Sequence, residues 1–326
     1  MLCLGIETTA HTFGIAIVDD KGNVLANLKD AVQIEEGGMI PAAVADHHVE
    51  VCDKVLKNAL EKANAKLKDI DLISFSQGPG LGNCLTIGTF VARVIAKLHK
   101  KPLVGVNHCI AHLEIGKIKT TAKDPVLLYA SGANTQIIAK EGGKYRIFGE
   151  TLDIGIGNFL DQFARYIGMG FPGGPKIYEL ACKGKNFIEL PYVVKGMDLC
   201  FGGILTNLKQ KYDSEKYSKE DLAYSAQETV FAMLLEVTER AMAHTGKKEL
   251  LLGGGVACNL RLQDMAKIMC EARNAKCFIP ANEFLVDNAA MIAWLGIIEH
   301  KADIKTSIIE SRIIPYWRTD DVEVSW

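Results

Sequence analysis

Two imidazoles, His108 and His112, stand four residues apart directly after an apolar run over residues 102–106. If that run is a buried strand and the histidines open the following helix, both rings share one helix face and can clamp a single cation. A pair is not yet a centre. A third donor is available at Asp287, where Asp287-Asn288-Ala289-Ala290-Met291 leads a loop into an apolar helix. Two imidazoles and one carboxylate suit a catalytic iron or zinc ion with open positions. The competing readings are structural: a helix with two satisfied histidines, and an aspartate that merely caps its helix. A metallopeptidase is disfavoured, because Cys109 stands where a His-Glu-x-x-His helix carries its water-activating glutamate.

The elements that must carry these residues follow a pattern that occurs twice. Apolar strands are predicted over 2–6, 12–18 and 24–28, with the polar turn Glu7-Thr8-Thr9 after the first and a hairpin loop at 19–23. The same order returns over 126–130, 135–139 and 145–148, with Ser131-Gly132-Ala133-Asn134 as the polar turn and 141–144 as the hairpin loop. Between the copies the spacing predicts helices over about 47–65 and 85–98 and a strand over 72–76. Two strand-hairpin-strand units with helices packed on them imply a duplicated α/β fold with a cleft between two lobes. Both polar turns are expected to face that cleft and to cradle a nucleotide's phosphates through backbone N–H groups. Glycine-rich segments at 76–82, 168–175 and 252–259 are expected to form the rest of the pocket. In the last, three glycines follow a short strand and precede a helix with Asn259 near its start.

A chain of 326 residues, 48% hydrophobic, suits two domains or lobes with well-filled interiors. Lys and Arg number 37 against 39 Asp and Glu, so no global polyelectrolyte attraction to nucleic acid is written into the composition. Any RNA partner must be held by local patches or by other subunits. The basic clusters at 97–101 and 209–211 are small enough for ordinary solvated helix faces. Nine cysteines are scattered without a Cys-x-x-Cys pair, which argues for reduced thiols in a cytoplasmic protein. No apolar run reaches the roughly 18 residues that cross a bilayer, so no membrane association and no export are expected.

Assembled, these features closely resemble the universal tRNA threonylcarbamoyladenosine-synthesis family in its archaeal and eukaryotic form, the catalytic subunit of the KEOPS complex, once called O-sialoglycoprotein endopeptidases. The resemblance runs along essentially the whole chain. It includes Asp46-His47-His48-Val49-Glu50, Ser76-Gln77-Gly78-Pro79-Gly80, Gly105-Val106-Asn107-His108 through His112, and Gly149-Glu150-Thr151-Leu152-Asp153. Further along it takes in Pro172-Gly173-Gly174-Pro175, Val194-Lys195-Gly196-Met197-Asp198 and the ending Tyr316-Trp317-Arg318-Thr319-Asp320.

The resemblance implies an actin-like, sugar-kinase-like, Hsp70-like ATPase fold with lobes at 1–120 and 121–326, the final helix being able to pack back on the first lobe. It implies one divalent metal, iron or zinc, held by His108, His112 and Asp287 with Tyr129 nearby, the first three being the catalytic centre. It places an adenine nucleotide against Ser131, Gly132, Asn134, Asp161, Gly174, Gly254 and Asn259. Asp161 has the alternative of pairing with Arg165 one helical turn on. Departures from the family are Ala133 and Ala289 for usual glycines, Gly202 for a usual serine, and Tyr178 where a ribose-contacting glutamate is common, with Glu179 adjacent.

The implied reaction moves a threonylcarbamoyl group from threonylcarbamoyl-AMP to N6 of the adenosine beside the anticodon of tRNAs reading codons that begin with adenine. ATP or AMP analogues are expected to bind the same site. A metal-dependent ATPase or phosphotransferase of the same fold is the alternative. The implied partners are tRNA and, within KEOPS, an atypical small kinase or ATPase and small accessory subunits.

Overall fold

The computed structural model describes residues 1–32 and 39–326. They form two compact units, each built on a five-stranded mixed sheet. The first unit takes residues 1–32, 39–119 and Val286–Trp326; the second takes Thr120–Leu285.

In the first unit, β1 (Leu2–Glu7), β2 (Thr12–Asp19) and β3 (Val24–Ala31) form an antiparallel meander, followed by α1 (Pro41–Lys62), β4 (Leu72–Gly78), α2 (Gly82–His99), β5 (Leu103–Asn107) and α3 (His108–Lys119). The sheet order is β3-β2-β1-β4-β5, with β1, β4 and β5 parallel. Helix α1 begins at Pro41 rather than near 47. The fixed φ of proline suits a first helical position, and no apolar periodicity announces the turn it starts.

The second unit repeats the plan. Strands β6 (Val126–Ala130), β7 (Thr135–Glu141) and β8 (Lys144–Glu150) form the meander. Next come α4 (Ile156–Tyr166), α5 (Gly173–Ala181), the short ribbon β9 (Val194–Lys195) and β10 (Asp198–Leu199), α6 (Gly202–Asp213) and α7 (Lys219–Thr245). The unit closes with β11 (Glu249–Gly253), α8 (Leu260–Ala272), β12 (Lys276–Phe278) and α9 (Asn282–Leu285). The order β12-β11-β6-β7-β8 matches that of the first sheet, strand for strand. Helix α7 is not anticipated by periodicity. Its buried side chains, from Leu222 to Met242, occupy most of its circumference, which erases the amphipathic signature.

After α9 the chain returns to the first unit as α10 (Ala289–Lys301), which packs on β1, β2 and β4. On β1, Leu4 and Ile6 join the core cluster shared with Val55 and Ala59 of α1 and Ala92 and Ile95 of α2, while Gly5 points to α10. A methyl group at Gly5 would lie 2.4 Å from the Ala289 carbonyl oxygen and 2.6 Å from the Ala293 nitrogen. Because both are backbone atoms, neither can swing aside. At Gly296 a Cβ would meet the Ser74 side chain, Oγ at 2.3 Å and Cβ at 2.4 Å, and that hydroxyl is engaged in donating to the Ile292 carbonyl at 2.8 Å.

Gly5→Ala is therefore expected to cost about 1–3 kcal/mol through forced separation of α10 from β1, read as a lower denaturant midpoint at unchanged slope. Farther along α10, burial pushes the Glu299 carboxyl from 4.5 up to about 8. A carboxyl with a raised native pKa keeps its proton in the fold while the unfolded chain releases it, so stability falls as pH rises between those values. Glu299→Gln should remove that slope: thermal scans are expected to show the variant gaining on the parent at pH 8.5 relative to pH 5.

Candidate functional site

The histidines open α3 because the residue before them caps it: the Asn107 carboxamide oxygen accepts from Cys109 N at 3.0 Å and Ile110 N at 3.2 Å. Strand β5 ends at Asn107, so His108 and His112 rise from the first turns of α3 with ring centroids 4.9 Å apart and planes at 81°. Both are buried. Asp287 does not cap α10. That role falls to Asn288, whose Oδ1 accepts from Met291 N at 3.0 Å, and the carboxylate one residue earlier is left to turn toward the imidazoles.

Asp287 Oδ1 lies 3.4 Å from His108 Nε2 and 3.4 Å from His112 Nε2. Among the described residues these three side chains form the one group able to present three metal-ligating atoms within 4.8 Å of one another. All three belong to the first unit, although 175 positions separate His112 from Asp287. The spacing fits a cation: donors about 2.1 Å from a tetrahedral centre stand about 3.4 Å apart.

Electrostatics divide the two rings. Burial by itself lowers the basicity of His108, but the Glu7 and Asp287 carboxylates outweigh it and hold its pKa well above the usual histidine value. Burial also dominates at His112, reinforced by the neighbouring His108, and its pKa falls despite Asp287. Burial alone would raise Asp287, yet hydrogen bonds and charge from both histidines hold its carboxyl well below the ordinary range.

Glu7 and Thr9, expected in a phosphate-cradling turn, meet His108 instead. Glu7 is fully buried, its Oε2 3.0 Å from His108 Nδ1, while Thr9 Oγ1 lies 3.3 Å from the same nitrogen. The signal was a lone acidic residue closing the apolar strand β1. The glycine-rich 76–82 segment is likewise absorbed by the fold. Gln77 Nε2 donates to the Glu310 and Arg312 carbonyls at 2.9 and 2.7 Å, and Gly80 N donates to Pro315 O at 3.1 Å, tying down the C-terminal segment.

The residues expected at a nucleotide lie in the second unit: Ser131, Gly132 and Asn134 after β6, Gly254 and Asn259 after its parallel neighbour β11, Asp161 on α4 and Gly174 on α5. Ser131 N and its hydroxyl both reach Asn134 O at 2.9 Å, closing the Ser131–Asn134 turn with Gly132 exposed. Gly254, at φ +88°, packs beside that turn; a Cβ there would meet Ala130 O at 2.3 Å. Asn259 caps α8 through Arg261 N and Leu262 N and donates to Gln227 Oε1 at 2.9 Å. Asp161 Oδ1 accepts from Gly173 N at 2.6 Å, which fixes the loop leading to Gly174. Apart from its chain neighbours and the backbone of its own helix, no atom lies within 4 Å of where a Gly174 Cβ would stand.

Sequence reasoning passed over Gly155 and Gly157, whose glycine-x-glycine spacing lets the start of α4 press on the turn. A Cβ at Gly155 would meet Gly132 O at 2.3 Å, and one at Gly157 would meet Gly132 Cα at 2.7 Å. Tyr178 is partly exposed on α5, one helical turn before Cys182, and Glu179 is exposed. Tyr129 lies buried on β6, opposite Gly253 of β11 and Gln136 of β7. No helix of the described residues is long and apolar enough to cross a membrane.

Solved structures share this architecture. HypF of Thermococcus kodakarensis aligns over 92% of the chain and 47% of its own length with a TM-score of 0.64 at 16% identity. Component A of the (R)-2-hydroxyglutaryl-CoA dehydratase of Acidaminococcus fermentans aligns over 92% and 99% with a TM-score of 0.60, also at 16% identity. The molecule is thus an α/β protein of the actin-like ATPase fold with a His-His-Asp cluster.

The family model for tRNA N6-adenosine threonylcarbamoyltransferase, TsaD, matches residues 22–294. Proteins of that name from Thermococcus kodakarensis and Archaeoglobus fulgidus are 56% and 50% identical, each over 100% of both chains. A protein of Methanocaldococcus jannaschii named as a probable bifunctional tRNA threonylcarbamoyladenosine biosynthesis protein is 53% identical over all of this chain and 60% of its own length. The chain belongs to the tRNA N6-adenosine threonylcarbamoyltransferase family.

A cation entering between the three donors must displace the proton that Glu7 and Asp287 favour on His108. Metal affinity should therefore weaken as pH falls. Titration of zinc into metal-free protein at pH 6.5 is expected to release about one proton per ion, measured by calorimetry in buffers of different ionisation enthalpy.

Proposed function

We propose that the chain transfers the threonylcarbamoyl group of threonylcarbamoyl-AMP to N6 of the adenosine beside the anticodon of tRNAs reading codons that begin with adenine. The observation that carries this reading is the meeting of His108, His112 and Asp287 in a chain that matches its named relatives from end to end. An ATPase or phosphotransferase of the same fold is not favoured, since the relatives carry the transferase name.

In the reaction the N6 amine attacks the carbamoyl carbon, the bond from that carbon to the phosphate oxygen breaks, and AMP departs while the amine loses a proton. The amine is a weak nucleophile because its lone pair is shared with the purine, so the donor must be held in line and its carbonyl polarised. Iron or zinc on His108, His112 and Asp287 would supply Lewis acidity and an anchor for the threonyl moiety. The protein's own contribution is positional. The Asn107 cap and the packing of α10 fix the donors, so little reorganisation is required when a ligand arrives.

In the second unit, the exposed Ser131–Asn134 turn, Gly254 and Gly174 offer backbone at which an adenylate phosphate can approach closely. Asp161 and Asn259 support these loops through their hydrogen bonds. AMP, the leaving group, would be held by the same backbone. We place the protein in the cytoplasm, working with a small kinase or ATPase and accessory subunits. The bifunctional name of the longer relative supports work alongside a second activity, and the chain's near-neutral charge supports a shared RNA-binding task.

Replacing His108 and His112 together with alanine should eliminate bound metal and lower transfer to tRNA by at least ~100-fold, with tRNA and the partner subunits supplied. Wild-type turnover without metal would overturn the proposal. Gly174→Ala separates ligand contact from folding: with open space around its Cβ, the variant should keep the parental Tm while AMP affinity, by calorimetry, falls about tenfold.

A further inference from the structure

Glu7 is a carboxylate that touches the His-His-Asp group without being one of its three donors. Its surroundings are built for it. Oε1 accepts from Thr9 N at 2.7 Å and from the Thr9 hydroxyl, and Oε2 faces His108 Nδ1 at 3.0 Å. The turn that carries it is held from three sides. Thr8 N donates to Ser76 Oγ at 3.0 Å, Leu81 N donates to Thr9 O at 2.8 Å, and Gly80 and Gly88 have no side chain where a Cβ would meet Thr9 O at 2.6 Å and Thr8 Oγ1 at 2.0 Å. So much support for a fully buried acid at the end of an apolar strand is not what a core requires, since an apolar residue would fill the space without desolvating a charge.

An ionised carboxylate offers acceptors alone, so the imidazole nitrogen facing it carries the proton. In a neutral imidazole with a proton on Nδ1, the lone pair sits on Nε2, and His108 Nε2 is the atom turned to Asp287. We infer that Glu7 is a positioning residue of the metal site: it fixes His108 as the Nδ1–H tautomer, makes Nε2 the ligating atom and supplies a second negative charge behind the imidazole. Thr9 completes the arrangement by occupying Oε1 and leaving Oε2 for the ring. This rests on the metal reading above and adds a residue to it that binds no ion itself. A carboxylate behind a ligating histidine raises its donor strength and orients the ring, and loss of such a partner typically weakens metal affinity by about 10–100-fold.

Two measurements test it. On the zinc-loaded full chain labelled with ¹⁵N-histidine, long-range proton–nitrogen spectra should show His108 protonated at Nδ1 with Nε2 bound to the ion; a proton on Nε2, or ligation through Nδ1, would overturn the inference. This needs no variant and so does not depend on any substitution folding. In Glu7→Gln, which keeps size and shape, zinc affinity read by competition with a chromophoric chelator should fall by about 10–100-fold while the metal-free Tm stays within a few degrees. Thr9→Val, which leaves the carboxylate in place, should lose less than about tenfold. Wild-type zinc affinity in folded Glu7→Gln would sink the positioning role yet leave the ligand set standing, whereas retention of zinc by the His108→Ala, His112→Ala protein would sink the ligand set itself.

Discussion

The contact on which the rest depends is the approach of the α10 backbone to strand β1. Gly5 leaves no room for a methyl group beneath Ala289 and Ala293, and Gly296 does the same against Ser74. That closeness brings a segment from the end of the chain onto the first sheet and sets the start of α10 within hydrogen-bonding range of α3. Asn288 takes over the capping of α10, so Asp287 is spared for the imidazoles. A small shift of the helix would act directly on the carboxylate.

The resulting cluster resolves a conflict of charge. Two buried imidazoles are gathered with the fully buried Glu7 and the partly exposed Asp287. Gathering like charges in such a place is costly, but alternating them spreads the cost. His108, with a carboxylate on each nitrogen, is the basic member, and His112, whose Nε2 also faces Asp287, is the weak one. A divalent cation would take the place of the proton on His108 and balance both carboxylates, where the single proton leaves one negative charge uncompensated, which is the physical reason the donor set suits a metal.

The second unit solves a different problem with the same topology. Its sheet repeats the strand order of the first, yet the turn after its opening strand is exposed where the corresponding turn of the first unit is buried and bonded to His108. One plan therefore supports two chemistries. After β1 an acid secures an imidazole; after β6 the Ser-Gly-x-Asn turn keeps Gly132 and Ala133 exposed, while the buried Gly254 at positive φ and the buried start of α4 pack against it. Fold alone would not have separated them.

By itself the sequence determined the duplicated strand-hairpin-strand plan, because alternation and turn residues are local: strand β6 spans Val126–Ala130 in the reading and in the structure alike. The spacing of His108 and His112 also fixed their shared helix face, since four residues make one turn. What sequence could not decide was whether Asp287 caps a helix or joins the histidines, for a cap and a ligand have the same local signature and only the partner across 175 residues tells them apart. The assignment of Glu7, the structural use of the 76–82 glycines and the existence of α7 were hidden for related reasons. Each depends on which surface a residue meets after packing, and a helix buried nearly all round leaves no periodic trace.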